Sequence, residues 1–430
     1  MLTERAYSLS SIGLTTRRIA LLALLVIAIP SVRVMLNQSH WPKLFGQGGI
    51  YRPLATSLAS GQGYTEIRNS HRTPTILRPP LWPFLMSLPM RLCPSCTLVT
   101  VTRSEEVLMH AITAFGVALL VGLLTGSWIR MLAAANAIAL LPEAQPLLLG
   151  GYCEPPCTAI LVVGTLLITC GGRLFFPGIL LLSLLPLIRP NFLLLWPAAV
   201  VLITWRQARG HISYNFGHWR RLSVATILFC LPTSAWVMRN YWVSGLFPMI
   251  AGTSSLTLYG NYNTTVATRG PNFGVFALPP TTDQNTGGLS EAAMLRFYYR
   301  SGHEFIAHHL KLIPLLLAAH VVHAVLPYRD DGAHKYSFWV FRLLLYGTAL
   351  ILFRRRAIVL LESGFGIIFI CALLTTAVTV VLYSGDTRYL YPLNVLLVVA
   401  LCSASFKYSG KSSREVPAAQ NTETTWVANS

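Results

Sequence analysis

The chain has 430 residues, of which 53% are hydrophobic and only 11% charged. A soluble domain carries about a quarter charged residues, so this composition excludes an ordinary globular protein and points to a polytopic membrane protein. Lys and Arg outnumber Asp and Glu by 33 to 15, a balance of +18 that belongs to membrane topology and lipid headgroups, since no nucleic-acid-binding motif accompanies it.

The opening MLTERAYSLSSIGLTTRR and its apolar sequel imitate a signal peptide. No small-residue cleavage site precedes Asn37, however, so 19–36 reads as a retained first span. The stretch from Gly48 to Pro83 is too polar for lipid. Its first part places Tyr51, Leu54 and Leu58 at helical spacing, which predicts a short helix lying in the membrane surface and ended by Gly61 and Gly63. In TPTILRPPLWP the prolines at 79 and 80 forbid a helix, so Arg78 is expected on a stiff extended turn with Trp82 at the bilayer edge. The same residues also read as an ordinary interfacial loop with aromatic anchors.

Further apolar runs at 106–127, 130–149, 155–172, 174–188, 190–205, 222–238, 338–353, 357–382 and 389–406 bring the spans to ten, several of them shorter than the about 20 residues of a straight crossing. The run at 311–327, with Pro314, His320 and His323, reads instead as an interfacial helix. Counting it as a span would put Arg354, Arg355 and Arg356 outside. With it left out, they share the inner side with Arg17, Arg18, Arg130, Arg173, the 206–221 loop, Lys407 and Lys411, as short cytoplasmic loops should. The expected fold is all-α: a polytopic integral membrane protein of about ten transmembrane helices, with both termini cytoplasmic. One domain covers 1–406, with large outer loops at 37–105 and 239–337 that carry interfacial helices, the second turning helical from Glu291 to His309. Residues 407–430 read as a disordered cytoplasmic tail.

Carboxylates at membrane level are costly, which makes the few acids informative. Glu143, Glu154 and Asp386 fall at outer ends of spans, as do Arg189, Arg239 and Arg388. Arginine grips phosphate oxygens with a fixed fork and stays charged, so such a ring suits a phosphate-bearing headgroup. Snorkelling side chains that fix helix ends are the simpler alternative for any one of them. HEFIAHH (303–309) imitates a zinc motif, but His303 and His308 are five residues apart, about 140° around a helix, so an amphipathic surface helix is the better account. Of the cysteines, 170, 230, 371 and 402 lie in apolar runs and read as packing residues. Cys93, Cys96, Cys153 and Cys157 sit at outer segment ends, where disulfides, a four-thiolate zinc site or free thiols are all open.

Several segments in order resemble the GT-C superfamily of membrane glycosyltransferases, in particular the family-39-like enzymes that include protein mannosyltransferases and aminoarabinose transferases. They are Y-x-x-L-A-x-x-L-x-x-G-x-G-Y…PT-x-x-RPPLWP (51–83), CEPPCTAILVVG (153–164), LIRPNFLLLWP (187–197), WVMRNYWVSGLFP (236–248) followed by LYGNYN, and RYLYPLNVLLVVA (388–400). The resemblance implies transfer of a sugar from a polyprenyl-phosphate donor to an acceptor at the outer face of the membrane, in a bacterial inner (plasma) membrane. It implies a donor-phosphate site drawn from Arg78, Arg189 and Arg388, with Tyr51, Arg239 and Tyr389 around it. The family places a catalytic Asp a few residues before the position of Tyr51, where this chain reads GQGGIY. An inverting transfer needs a carboxylate to take the acceptor proton. Here that role falls to Glu154, at a span end meeting the outer aqueous cavity, or to Glu66, on a loop with nothing to hold it still. Glu154 could equally hold a divalent cation, Mg or Mn; no residue is assigned as a metal ligand. A non-catalytic relative that binds a lipid phosphate is the second reading. A transporter is the third, disfavoured because the charges keep to the outer rim.

Overall fold

The computed structural model describes residues 15–37, 47–68, 70–208, 216–247, 250–268, 273–325, 340–350, 364–383 and 386–404. The chain runs through α1 (Thr16–Asn37), α2 (Gln47–Ala59), a hairpin of β1 (Thr65–Arg68) and β2 (His71–Pro74), α3 (Leu81–Leu92), α4 (Leu98–Thr125), α5 (Trp128–Ala139) and α6 (Ala144–Gly150). It continues through α7 (Glu154–Cys170), α8 (Phe175–Leu182), α9 (Leu195–Ala208), α10 (Phe216–Ser244), α11 (Thr253–Asn261), α12 (Thr264–Thr268) and α13 (Thr282–Thr286). It ends with α14 (Glu291–His308), α15 (Ile313–Val325), α16 (Val340–Leu350), α17 (Gly364–Leu382) and α18 (Tyr391–Ala404). Among the described residues the fold is thus all-α apart from one antiparallel hairpin, in which Glu66 pairs with Thr73.

Local signals set the helix ends. Thr97 caps α4, its hydroxyl accepting from Thr100 N at 3.2 Å, and Gly126 closes the same helix in the left-handed region. Pro155 and Pro156 open α7, where their missing N–H groups cost nothing. Gly164 and Gly178 let α7 and α8 touch: a Cβ at Gly164 would stand 2.5 Å from Leu182 Cδ2 and 3.3 Å from the Gly178 carbonyl.

Among the described residues, α1, α4, Trp219–Ser244 of α10 and Phe365–Leu382 of α17 are each long and apolar enough to cross a membrane. Two bent pairs, α5 with α6 at 54° and α14 with α15 at 116°, raise the number from four to six if each is one broken span. These helices suit an integral membrane protein. The run expected to lie flat at 311–327 is α15, and its sharp bend from α14 keeps the two from forming one straight rod. Arg209, Arg354–Arg356, Lys407, Lys411 and the tail lie outside the described residues.

Among the described residues a large apolar core joins α1–α10 to α16–α18, with α4 packed against α1, α5, α7 and α18. Two expectations about the first outer loop are corrected by it. The apolar face of α2 (Tyr51, Leu54, Ala55) does not lie in lipid but packs onto α3 and the core. Trp82 is not a bilayer-edge anchor: it is wholly buried, and its indole N–H donates to the Gly151 carbonyl at 3.3 Å. A tryptophan that finds both apolar cover and an acceptor gains more inside the protein than at an interface. Cys230, expected to pack, is exposed on the sparsely covered α10. Cys170 and Cys371 are buried as expected.

Candidate functional site

The Trp82–Gly151 bond ties the start of α3, and with it the Arg78-Pro79-Pro80 turn, to the turn that begins α7. Gly151 adopts φ 69°, which ends α6 and lets the chain re-enter helix at Glu154. Glu154 has 0% exposure, so the expected half-solvated position at a cavity mouth is corrected to full burial. Arg189, which precedes the 3-10 turn Pro190–Leu194, brings its Nη2 to 3.0 Å from Glu154 Oε1. Arg388, in the 3-10 turn Thr387–Leu390 before α18, brings Nε to 3.5 Å from the same oxygen and to 2.8 Å from Asp386 Oδ2. Tyr389 lies between the guanidiniums, 4.3 Å from Arg189 and 5.5 Å from Arg388, and Arg388 also faces the Tyr152 ring at 5.1 Å.

Tyr51 and Arg78 complete the cluster. The Tyr51 phenol is buried within electrostatic reach of Arg78, Arg189 and Glu154; its pKa is raised, by burial first and by the Cys153 thiol beside it. Arg78 Nε is buried without an acceptor, and no hydrogen bond reaches Glu154 Oε2, among the described residues. Arg189 and Arg388 face Glu154 and Asp386, while Arg78 is within reach of Tyr51 and also of Glu66, so the cluster sets buried cations beside open valences of both kinds.

Glu66 and Arg239 belong to a neighbouring assembly rather than to this one. Arg239 donates to the Thr75 and Tyr64 carbonyls and stands over the Tyr64 and Trp236 rings, so it clamps the hairpin's flanks. Glu291, at the start of α14, accepts from Ile76 N at 2.7 Å and from the Thr75 hydroxyl at 2.8 Å. Sequence reading placed Glu291 only as a helix start; an acid at a first helical turn carries no sign that it will hold a distant loop. Glu66 is held in a paired strand, a correction to the unrestrained loop expected. Burial, then the nearby Glu291 carboxylate, pushes Glu66 above the ordinary carboxylate range against the pull of Arg78 and Arg68. A raised carboxyl favours the folded state at acid pH, and this stability is lost as pH rises through the raised folded value. Glu66→Gln should therefore gain stability relative to wild type as pH climbs from acid to neutral, read as the difference in melting temperature. A constant difference would remove the burial effect.

A second buried knot escaped the sequence reading. Arg342 of α16 donates Nε to Glu143 Oε1 and Nη1 to the Ala324 and Val325 carbonyls at 2.9 and 3.1 Å. Its Nη2 donates to the Thr387 carbonyl at 3.3 Å, next to Arg388. Asn394 donates to Glu143 Oε2 at 2.8 Å and accepts from Tyr346.

Cys93 and Cys96 form a disulfide, while Cys153 and Cys157 are buried and not disulfide-bonded. His308 and His309 lie within hydrogen-bond distance of backbone carbonyls one turn back. Among the described residues no group of three His, Cys, Asp or Glu side chains converges as a metal ion needs. Guanidiniums stand where a cation at Glu154 would, so a divalent cation does not fit there.

No protein-family profile, curated protein or solved structure matches this chain.

Proposed function

We propose that the chain is a GT-C-like glycosyltransferase, moving a sugar from a polyprenyl-phosphate donor to an acceptor at the outer face of a bacterial inner (plasma) membrane. In this reading all ten apolar runs cross or enter the membrane and both termini are cytoplasmic. The observation that carries it is a buried carboxylate, open at Oε2 and held by two guanidiniums, with the unsatisfied Nε of Arg78 in the same cluster. Arginines bind and neutralise a phosphate leaving group; an open carboxylate accepts a hydroxyl proton. As the acceptor oxygen bonds the anomeric carbon, the bond to the donor phosphate breaks and its electron pair leaves with the phosphate. The acceptor proton passes to Glu154. Arg189 and Arg388 hold that carboxylate and share the Tyr389 face.

Arg78→Lys and Arg388→Lys test the phosphate site. Each keeps the charge and loses the fork, so each should weaken binding of a polyprenyl-phosphate sugar about tenfold. Purified variants that bind donor like wild type would sink the assignment. A non-catalytic lipid-phosphate binder is the second reading, favoured by the residues GQGGIY where the resembling family has its Asp; it requires the same donor affinity with no transfer.

A further inference from the structure

Glu106 lies in α4, a helix apolar enough to cross a membrane, with 0% exposure. Among the described residues no hydrogen bond reaches either of its carboxylate oxygens. A carboxyl so placed is expensive unless it serves a purpose. α4 packs directly against α7, and Glu106 is within electrostatic reach of Glu154 and Glu105. Arg189 and Arg388 pair with Glu154, and Arg388 also with Asp386; among the described residues no ion pair reaches Glu106. Glu105, the preceding residue, is 9% exposed and also has an oxygen without a partner. One turn deeper, the buried His110 sets Nδ1 2.8 Å from the Tyr391 hydroxyl, and its Nε2 has no partner among the described residues. Tyr391 lies within reach of Glu106, Glu143, Glu154 and Arg33, and His110 faces Arg33. Those groups bound the pair on the α1 and α18 sides.

Two neighbouring carboxyls with cations on only one of them do not both ionise. We propose that Glu106 is the proton partner of Glu154, a carboxyl that holds a proton at rest and exchanges it across the α4–α7 interface. The role in turnover rests on the glycosyl-transfer reading. After transfer Glu154, itself at 0% exposure, carries the acceptor proton. Glu106 gives its own proton to Glu105, the less deeply covered of the two and the exit to solvent, and takes the one on Glu154, directly or through one buried water. One proton leaves per sugar moved, and Glu154 returns to the carboxylate.

The test uses purified full-length protein with Glu106→Gln, which keeps the shape and cannot carry an exchangeable acid proton. Infrared spectra at neutral pH should show a protonated-carboxyl band in wild type that is missing from E106Q and shifted in E154Q. With a polyprenyl-phosphate sugar as donor, E106Q should lose about 10²-fold in kcat at unchanged donor KM. Its solvent deuterium isotope effect should rise, and Glu106→Asp should recover part of the rate. A band that persists in E106Q, or a kcat, pH profile and isotope effect like wild type, overturns the proposal. Where E106Q does not fold, E106D carries the test, and an unmoved band there overturns it equally. If wild type transfers no sugar yet shows the band and its shift in E154Q, the proton pairing stands and the transferase reading falls.

Discussion

Glu154→Gln is expected to cut sugar transfer by about 10²–10⁴-fold, the span of a lost general base. Folding should survive. Gln has the volume of Glu and keeps an oxygen for Arg189, while Arg388 retains Asp386 and both guanidiniums retain the Tyr389 ring. The protein should stay folded and bind donor, with a lowered melting temperature because buried Arg189 loses its charged partner, while the rate collapses. Glu66→Gln should matter far less, because Glu66 answers to Glu291 in the hairpin assembly. Near wild-type transfer by purified E154Q would remove Glu154 as the base. Wild type that binds donor and transfers nothing would leave the lipid-phosphate binder as the function.

The largest loss of stability is expected from Arg342→Leu. It would strip the ion partner from the buried Glu143 and three carbonyls of their donor, that of Ala324 buried and those of Val325 and Thr387 partly so. Removing one partner of a buried pair costs about 3–5 kcal/mol, because the remaining charge has no water to return to. Replacing both, as Glu143→Leu with Arg342→Leu, should restore much of the loss, since the uncompensated charge is gone. The comparison is read as unfolding in detergent of the two single variants and the pair. A single R342L variant as stable as wild type would mean the knot is not held from this residue. Because Arg342 also holds the Thr387 carbonyl, its loss should slacken Arg388 and weaken donor binding.

Membrane character and helix positions were legible in the chain because hydrophobic runs and breakers act locally. The apolar runs, the Gly61 and Gly63 stop, the non-helical Arg78-Pro79-Pro80 turn and the helix from Glu291 all follow from such rules. The cluster does not follow from such rules but is named through the family resemblance: Tyr51, Arg78, Glu154, Arg189, Arg388 and Tyr389 come together from five separate segments. What tertiary structure alone decided is the partner of each buried polar group. Trp82 looked like an interfacial anchor until an acceptor at Gly151 claimed it; Arg239 looked like a phosphate ligand until the Thr75 and Tyr64 carbonyls did. Arg342 sits in an unremarkable apolar run, and Glu105 and Glu106 begin one. Nothing local distinguishes a paired charge from an open one. Burial makes every unmet hydrogen bond cost free energy, and whether it is met depends on residues up to 251 positions away, as between Glu143 and Asn394.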